Sequence, residues 1–152
     1  MRNTLVSEIS PLRVDIHKPV PKRAIRALAD IIAKKFDPDK IILFGSYAYG
    51  RPRAVSDVDI LVVMDTPDGE WSLMEAIRQA LPRRTFGLDV LVKSQAEIER
   101  RIAIDDWFLQ DIVTKGKVLY ERNHGRVGSQ SRKRLRRRTT VNASGRRRAS
   151  YR

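Results

Sequence analysis

Hydrophobic positions along this chain recur in two rhythms, and each switch between them marks a change of element. From Lys22 to Phe36 the apolar residues Ile25, Leu28, Ile32 and Phe36 fall at helical spacing, with Ala24, Ala29 and Ala33 beside them. That spacing predicts an amphipathic helix that packs on a core, ended by Asp37-Pro38-Asp39. Lys40–Phe44 and Val58–Met64 are instead apolar on successive residues, which suits short strands covered on both faces. Between them a Gly-Ser turn leads into a short helix that reaches about Gly50. Thr66-Pro67-Asp68-Gly69 reads as a turn, Trp71 to Leu81 as a helix stopped by Pro82, and Leu88–Val92 as a third strand. Ser94-Gln95-Ala96-Glu97 is a capping box, so a helix starts at Gln95. Ile98, Ile102, Phe108 and Ile112 carry helical segments on to about Lys115, with a break near Asp105-Asp106. Gly116 ends the last of them, and Val118-Leu119-Tyr120 reads as a short edge strand. This alternation predicts an α/β fold, a small mixed sheet with helices mainly on one face.

The two ends lack either rhythm. Residues 1–21 contain Ser10-Pro11 and Lys18-Pro19-Val20-Pro21 and read as a loosely ordered arm, with a short extended piece at Leu12 to Ile16. Residues 123–152 hold ten arginines and Lys133 and no acidic residue, whereas the first 122 residues hold 20 basic and 18 acidic residues. The net charge of +13 therefore sits almost wholly in the tail. Its only aliphatic side chains larger than alanine are Val127, Leu135 and Val141, too few to offset chain entropy, so disorder is expected over 122–152. Such a segment suits phosphate contacts with nucleic acid. Two blander readings stand beside that one: a solubility aid, or translation in an altered frame past a natural stop near Glu121. The domain organisation expected is an arm (1–21), one domain (22–121) and a disordered Arg-rich tail (122–152).

Composition removes several kinds of chemistry. With no cysteine there is no disulfide, zinc-thiolate site or cysteine nucleophile. Two histidines, His17 and His124, argue against a histidine-based triad or metal cluster. No apolar run approaches membrane-spanning length and the N-terminus lacks a signal-peptide core, so no membrane association and a cytoplasmic location are expected.

The candidate chemistry lies where the first strand ends. Ile41-Ile42-Leu43-Phe44 stops at Gly45-Ser46, and Asp57-Val58-Asp59 opens the next strand eleven residues on. Glycine after a strand allows close backbone approach to a ligand, and serine at the start of a short helix offers a hydroxyl and N–H groups to a phosphate. In a strand Asp57 and Asp59 share one face, with Cα atoms roughly 6.6 Å apart. Neighbouring carboxylates repel unless a positive charge lies between them, and oxygen-only ligands suit Mg²⁺. Asp89 is the only charge inside the third apolar run, a costly position unless it is paired or metal-bound. It is expected beside Asp57 and Asp59, completing a three-carboxylate site; the alternative is an edge-strand residue facing water. A P-loop is excluded: Gly45 and Gly50 have the spacing, but Arg51-Pro52 stands where lysine and a hydroxyl residue are required.

Gly45-Ser46, ten residues and then Asp57-Val58-Asp59 resembles the signature of the DNA polymerase beta-type nucleotidyltransferase superfamily. The runs Leu43 to Gly50 and Ser56 to Val63 resemble its minimal single-domain members, and the similarity continues through Phe86 to Val92 and Gly116 to Glu121. The resemblance implies the polymerase beta-like fold and transfer of a nucleoside monophosphate, AMP from ATP, to an acceptor hydroxyl. It implies that Gly45 and Ser46 hold the β- and γ-phosphates, and that Asp57 and Asp59 bind two Mg²⁺ about 3.5–4 Å apart. Asp89 would then bind the metal next to the acceptor and help take its proton. Many relatives carry arginine after Gly-Ser or before the second glycine, where this chain has Tyr47 and Tyr49; Arg51 and Arg53 are the replacements expected near the phosphates. Minimal members are often paired with a helical HEPN toxin, as antitoxins that adenylylate a tyrosine on it, which makes such a partner the expected acceptor. The other readings are a low-turnover module that docks a partner and nucleic acid, and an enzyme that modifies a small aminoglycoside-like molecule.

Overall fold

The computed structural model describes residues 10–123. The Arg-rich tail, apart from its first residue or two, and the first nine residues of the arm lie outside them.

Helix α1 (Lys22–Phe36) follows Pro21 and ends where Asp37 turns left-handed at φ 45°, its N–H donating to the Ala33 carbonyl at 3.0 Å. Pro38 then forbids continuation. Strand β1 (Lys40–Phe44), helix α2 (Ser46–Tyr49) and strand β2 (Val58–Val63) come next. Helix α3 (Glu70–Ala80) crosses over to β3 (Leu88–Lys93), and α4 (Gln95–Ala103), α5 (Trp107–Lys115) and β4 (Lys117–Glu121) complete the order. The sheet runs β3-β2-β1-β4, with β2 and β3 parallel and both other pairs antiparallel. It is thus a mixed sheet with β4 on an edge. The two strands that are apolar on successive residues, β1 and β2, are its centre.

Strand alternation divides the core in two. Ile41, Leu43, Val58, Ile60 and Val62 face the larger cluster, under Leu28 and Ile32 of α1 and Ile77 of α3. Ile42, Phe44, Leu61 and Val63 face a smaller cluster with Ile98 of α4 and Leu109 and Ile112 of α5. The longer helices, of 15 and 11 residues, lie on the first face, and the second carries two of nine residues each.

The break between α4 and α5 falls at Asp105, which is left-handed at φ 62°. Asp106 then caps α5 by accepting from the Leu109 N–H at 3.0 Å, and pairs with Arg101 at 2.6 Å. Ser94 caps α4 in the same way, through the Glu97 N–H.

Residues 10–21 are tied down. Leu12 is fully buried in the larger cluster. Thr85 Oγ1 accepts from the Val14 N–H and donates to the Val14 carbonyl, both at 2.8 Å, and the Thr85 N–H donates to the Leu12 carbonyl at 3.3 Å. No strand forms between Leu12 and Ile16; one threonine satisfies this backbone instead of a ladder. A single buried leucine has no period, so the pattern of the sequence holds no sign of it.

Candidate active site

The site begins at the end of β1, where Gly45 adopts φ 68° and ψ −152°. That backbone region is essentially reserved for glycine. Space imposes the same choice, since a Cβ here would lie 3.1 Å from Asp59 Cγ and closer still to its Oδ2. Gly45 is therefore required by its own backbone and by the neighbouring carboxylate. Its carbonyl accepts from the N–H groups of Ala48 and Tyr49, closing the one turn of α2, and the Gly50 N–H donates to the Ser46 carbonyl at 3.1 Å. Ser46 is half-buried, and its hydroxyl makes no hydrogen bond among the described residues.

Asp59 is the second residue of β2, paired in register with Phe44 on one side and Asp89 on the other. The parallel β2–β3 pairing thus brings together two aspartates thirty residues apart. Asp57 lies just before β2, where the Val58 N–H donates to the Gly87 carbonyl at 2.9 Å. A Cβ on Gly87 would lie 2.6 Å from Asp57 Cγ. Each of these two carboxylates thus rests against a glycine. Gly87 has no place among the site residues expected from sequence, and its one local signal is a glycine immediately ahead of a strand that carries an aspartate.

Burial pushes the Asp59 carboxyl above its ordinary range, and the charges of Asp89 and Asp57 push it further the same way. Among the described residues, no lysine or arginine forms an ion pair with Asp57, Asp59 or Asp89. The three aspartates therefore act on one another through their charges with no cation between them. They do not converge into a closed cage: among the described residues, no three His, Cys, Asp or Glu side chains gather as a metal-holding group. As a donor set, all oxygen and all anionic, they fit a hard divalent cation better than a softer one.

Arg51 and Arg53 are exposed on the loop from α2 to β2 and pair with no described carboxylate. Tyr47, where many relatives have arginine, has a structural task. Its hydroxyl accepts from the Val20 N–H at 2.9 Å and donates to the Arg53 carbonyl at 3.4 Å, bracing the loop against the segment before α1. On the carboxylate side of the sheet the Phe108 ring meets Phe44 edge-on, with centroids 5.8 Å apart and planes at 87°. Phe44 is the register partner of Asp59, so α5 reaches the border of the site. Phe108 entered the sequence reading only as one position of a helical period.

The sequence model of the family described as Polymerase beta, Nucleotidyltransferase matches residues 26–125, which include Gly45, Ser46, Gly87 and the three aspartates. The chain belongs to that family. Nucleotidyl transfer is accordingly its class of chemistry, on the polymerase beta-like fold. The chain is also 30% identical over 102 residues to a protein of Methanocaldococcus jannaschii whose name proposes protein adenylyltransferase activity. That match covers 65% of this chain and 97% of the relative. A crystal structure of a proposed nucleotidyltransferase from Sulfolobus solfataricus aligns with a TM-score of 0.47 and 21% identity. It covers 68% of this chain and 82% of the other.

Proposed function

We propose that this protein transfers AMP from ATP to a tyrosine hydroxyl of a partner protein, in a Mg²⁺-dependent reaction. The observation that carries this reading is the trio of unpaired aspartates set beside a glycine turn that only glycine can form. Gly45 lets the backbone approach the β- and γ-phosphates, the free Ser46 hydroxyl donates to them, and Arg51 supplies a cation from the adjoining loop. Asp57 and Asp59 would hold two Mg²⁺, and Asp89 would be a ligand on the acceptor side that takes the acceptor's proton. A metal held there would supply neutralisation of phosphate charge and activation of the attacking oxygen. The protein's own contribution is mainly positioning, as in phosphoryl transfer generally.

The name of the M. jannaschii relative supports ATP as donor and a protein as acceptor. The partner in this reading is a helical HEPN-type protein, the transfer silences it, and this chain acts as its antitoxin in the cytoplasm. Residues 22–121 form the transferase unit, and the basic residues after 122 hold nucleic acid through its phosphates. One observation favours a second reading, a docking module with little turnover: the carboxylates do not converge as a metal-holding group.

The test is mass spectrometry of the neighbouring gene's helical product after incubation with this protein, ATP and Mg²⁺. The expected result is a gain of one AMP on a tyrosine. A stable complex with no mass gain would establish the docking module instead. Efficient labelling of an aminoglycoside, with none of the protein, would establish a small-molecule enzyme.

A further inference from the structure

Behind the glycine turn, on the face of the sheet away from the carboxylates, lies a cavity of about 500 Å³ that the reading above does not use. Its lining is apolar at Leu43 of β1, Ile25 of α1 and Leu119 of β4, with Tyr47 and Pro52 beside them. Its size falls within the range of small-molecule sites, about 300–1,000 Å³. Successive strand residues point to opposite faces, so Leu43 opens into this cavity while Phe44 turns toward Asp59. The two sites are therefore distinct.

Three cations, Lys22, Arg26 and Lys117, line the same cavity, and no acidic side chain does. Among the described residues none of the three forms an ion pair. The neighbourhood is not short of pairing: Lys40 reaches Glu121 at 3.0 Å across the same β1–β4 ladder, and Arg122 reaches Asp37 and Asp39 at 3.2 and 3.3 Å. Like charges gathered around an apolar floor repel one another, and only an anion removes that repulsion. We propose that this cavity binds a small amphipathic anion, with an apolar body against Leu43, Ile25 and Leu119 and a carboxylate, phosphate or sulfonate head among Lys22, Arg26 and Lys117.

The probe is 8-anilinonaphthalene-1-sulfonate, an aromatic body with one anionic head, titrated by fluorescence into the full chain. The site predicts saturable binding that weakens as salt is raised. Leu119→Trp, which places a larger ring in the cavity, and the double change Arg26→Ala with Lys117→Ala should each weaken it at least tenfold. Arg26 and Lys117 are exposed, so the charge variant should melt like the parent, and a melting curve accompanies the half-buried Leu119 variant. Asp59→Asn should bind the probe unchanged. Displacement by decanoate but not by a nucleoside monophosphate would assign the site to acyl anions, and the reverse would assign it to nucleotides. Binding that never saturates, or that persists unaltered in the charge variant or in a Leu119→Trp protein that melts like the parent, would overturn the proposal. Since the Asp59 variant is scored by binding alone, this result is independent of whether transfer occurs.

Discussion

The two faces of the sheet are built from the same strands yet finished differently. On the face of α1 and α3, the residues Val58, Ile60 and Val62 of β2 are all fully buried. On the other face β2 begins with half-buried Asp59 before buried Leu61 and Val63, and β3 shows exposed Asp89 and then half-buried Leu91. The short helices α4 and α5 cover the far part of that face and leave its carboxylate corner open, with Phe108 at the border. Burying three unpaired carboxylates would cost far more than the apolar area around them returns. The first face supplies stability, and the second gives up cover where the charges must stay accessible.

The largest effect expected from this difference is on catalysis. Asp57→Asn or Asp59→Asn should lower nucleotide transfer from labelled ATP at least a thousandfold, about 4 kcal/mol in the barrier. Stability should not fall with it. Because the folded protein raises the Asp59 pKa, ionised Asp59 works against folding. Without metal, Asp59→Asn should therefore melt at or above the parent temperature at neutral pH, and the gap should close below the carboxylate range, where Asp59 is protonated. A parent-like rate in either variant would remove that aspartate from the proposed metal site.

The reverse split is expected on the first face. Leu28 of α1 is fully buried, and Leu28→Ala should cost about 2–5 kcal/mol in denaturant unfolding while the folded fraction keeps its transfer rate. A catalytic loss larger than the unfolded fraction explains would show the two faces to be coupled. Gly87→Ala tests the border between them. No left-handed backbone is involved, so the added Cβ acts only by displacing Asp57, at about 1–3 kcal/mol of overpacking. Transfer should drop about tenfold, with a melting shift smaller than that of Leu28→Ala.

The smallest effect concerns the cap of α5. The Leu109 N–H and Arg101 hold the Asp106 carboxyl below its ordinary range. Its contribution is present above the unfolded pKa and is lost as pH falls through the folded one. Asp106→Asn keeps an acceptor for the cap but loses the charge, so it should melt slightly below the parent at neutral pH and equally with it in acid. Melting curves across pH measure this directly.

Local pattern alone was enough to place α1 at Lys22–Phe36, β1 at Lys40–Phe44, the cap of α4 at Ser94 and the break at Asp105. In each case the cause lies within a few residues: an apolar period, a proline, a capping hydroxyl. The pairing of Gly45 with Asp59 was legible as a motif, and Asp89 as a charge out of place. Other features exist only between distant segments. Leu12 enters the core because Thr85 holds its neighbours, Tyr47 is a brace because Val20 lies opposite, and Gly87 is needed because the parallel β2–β3 register sets it against Asp57. The sharing of helices between the two faces belongs with these. A sequence states which side chains alternate, whereas free volume and hydrogen-bond partners are properties of pairs, decided only when the strands take their neighbours.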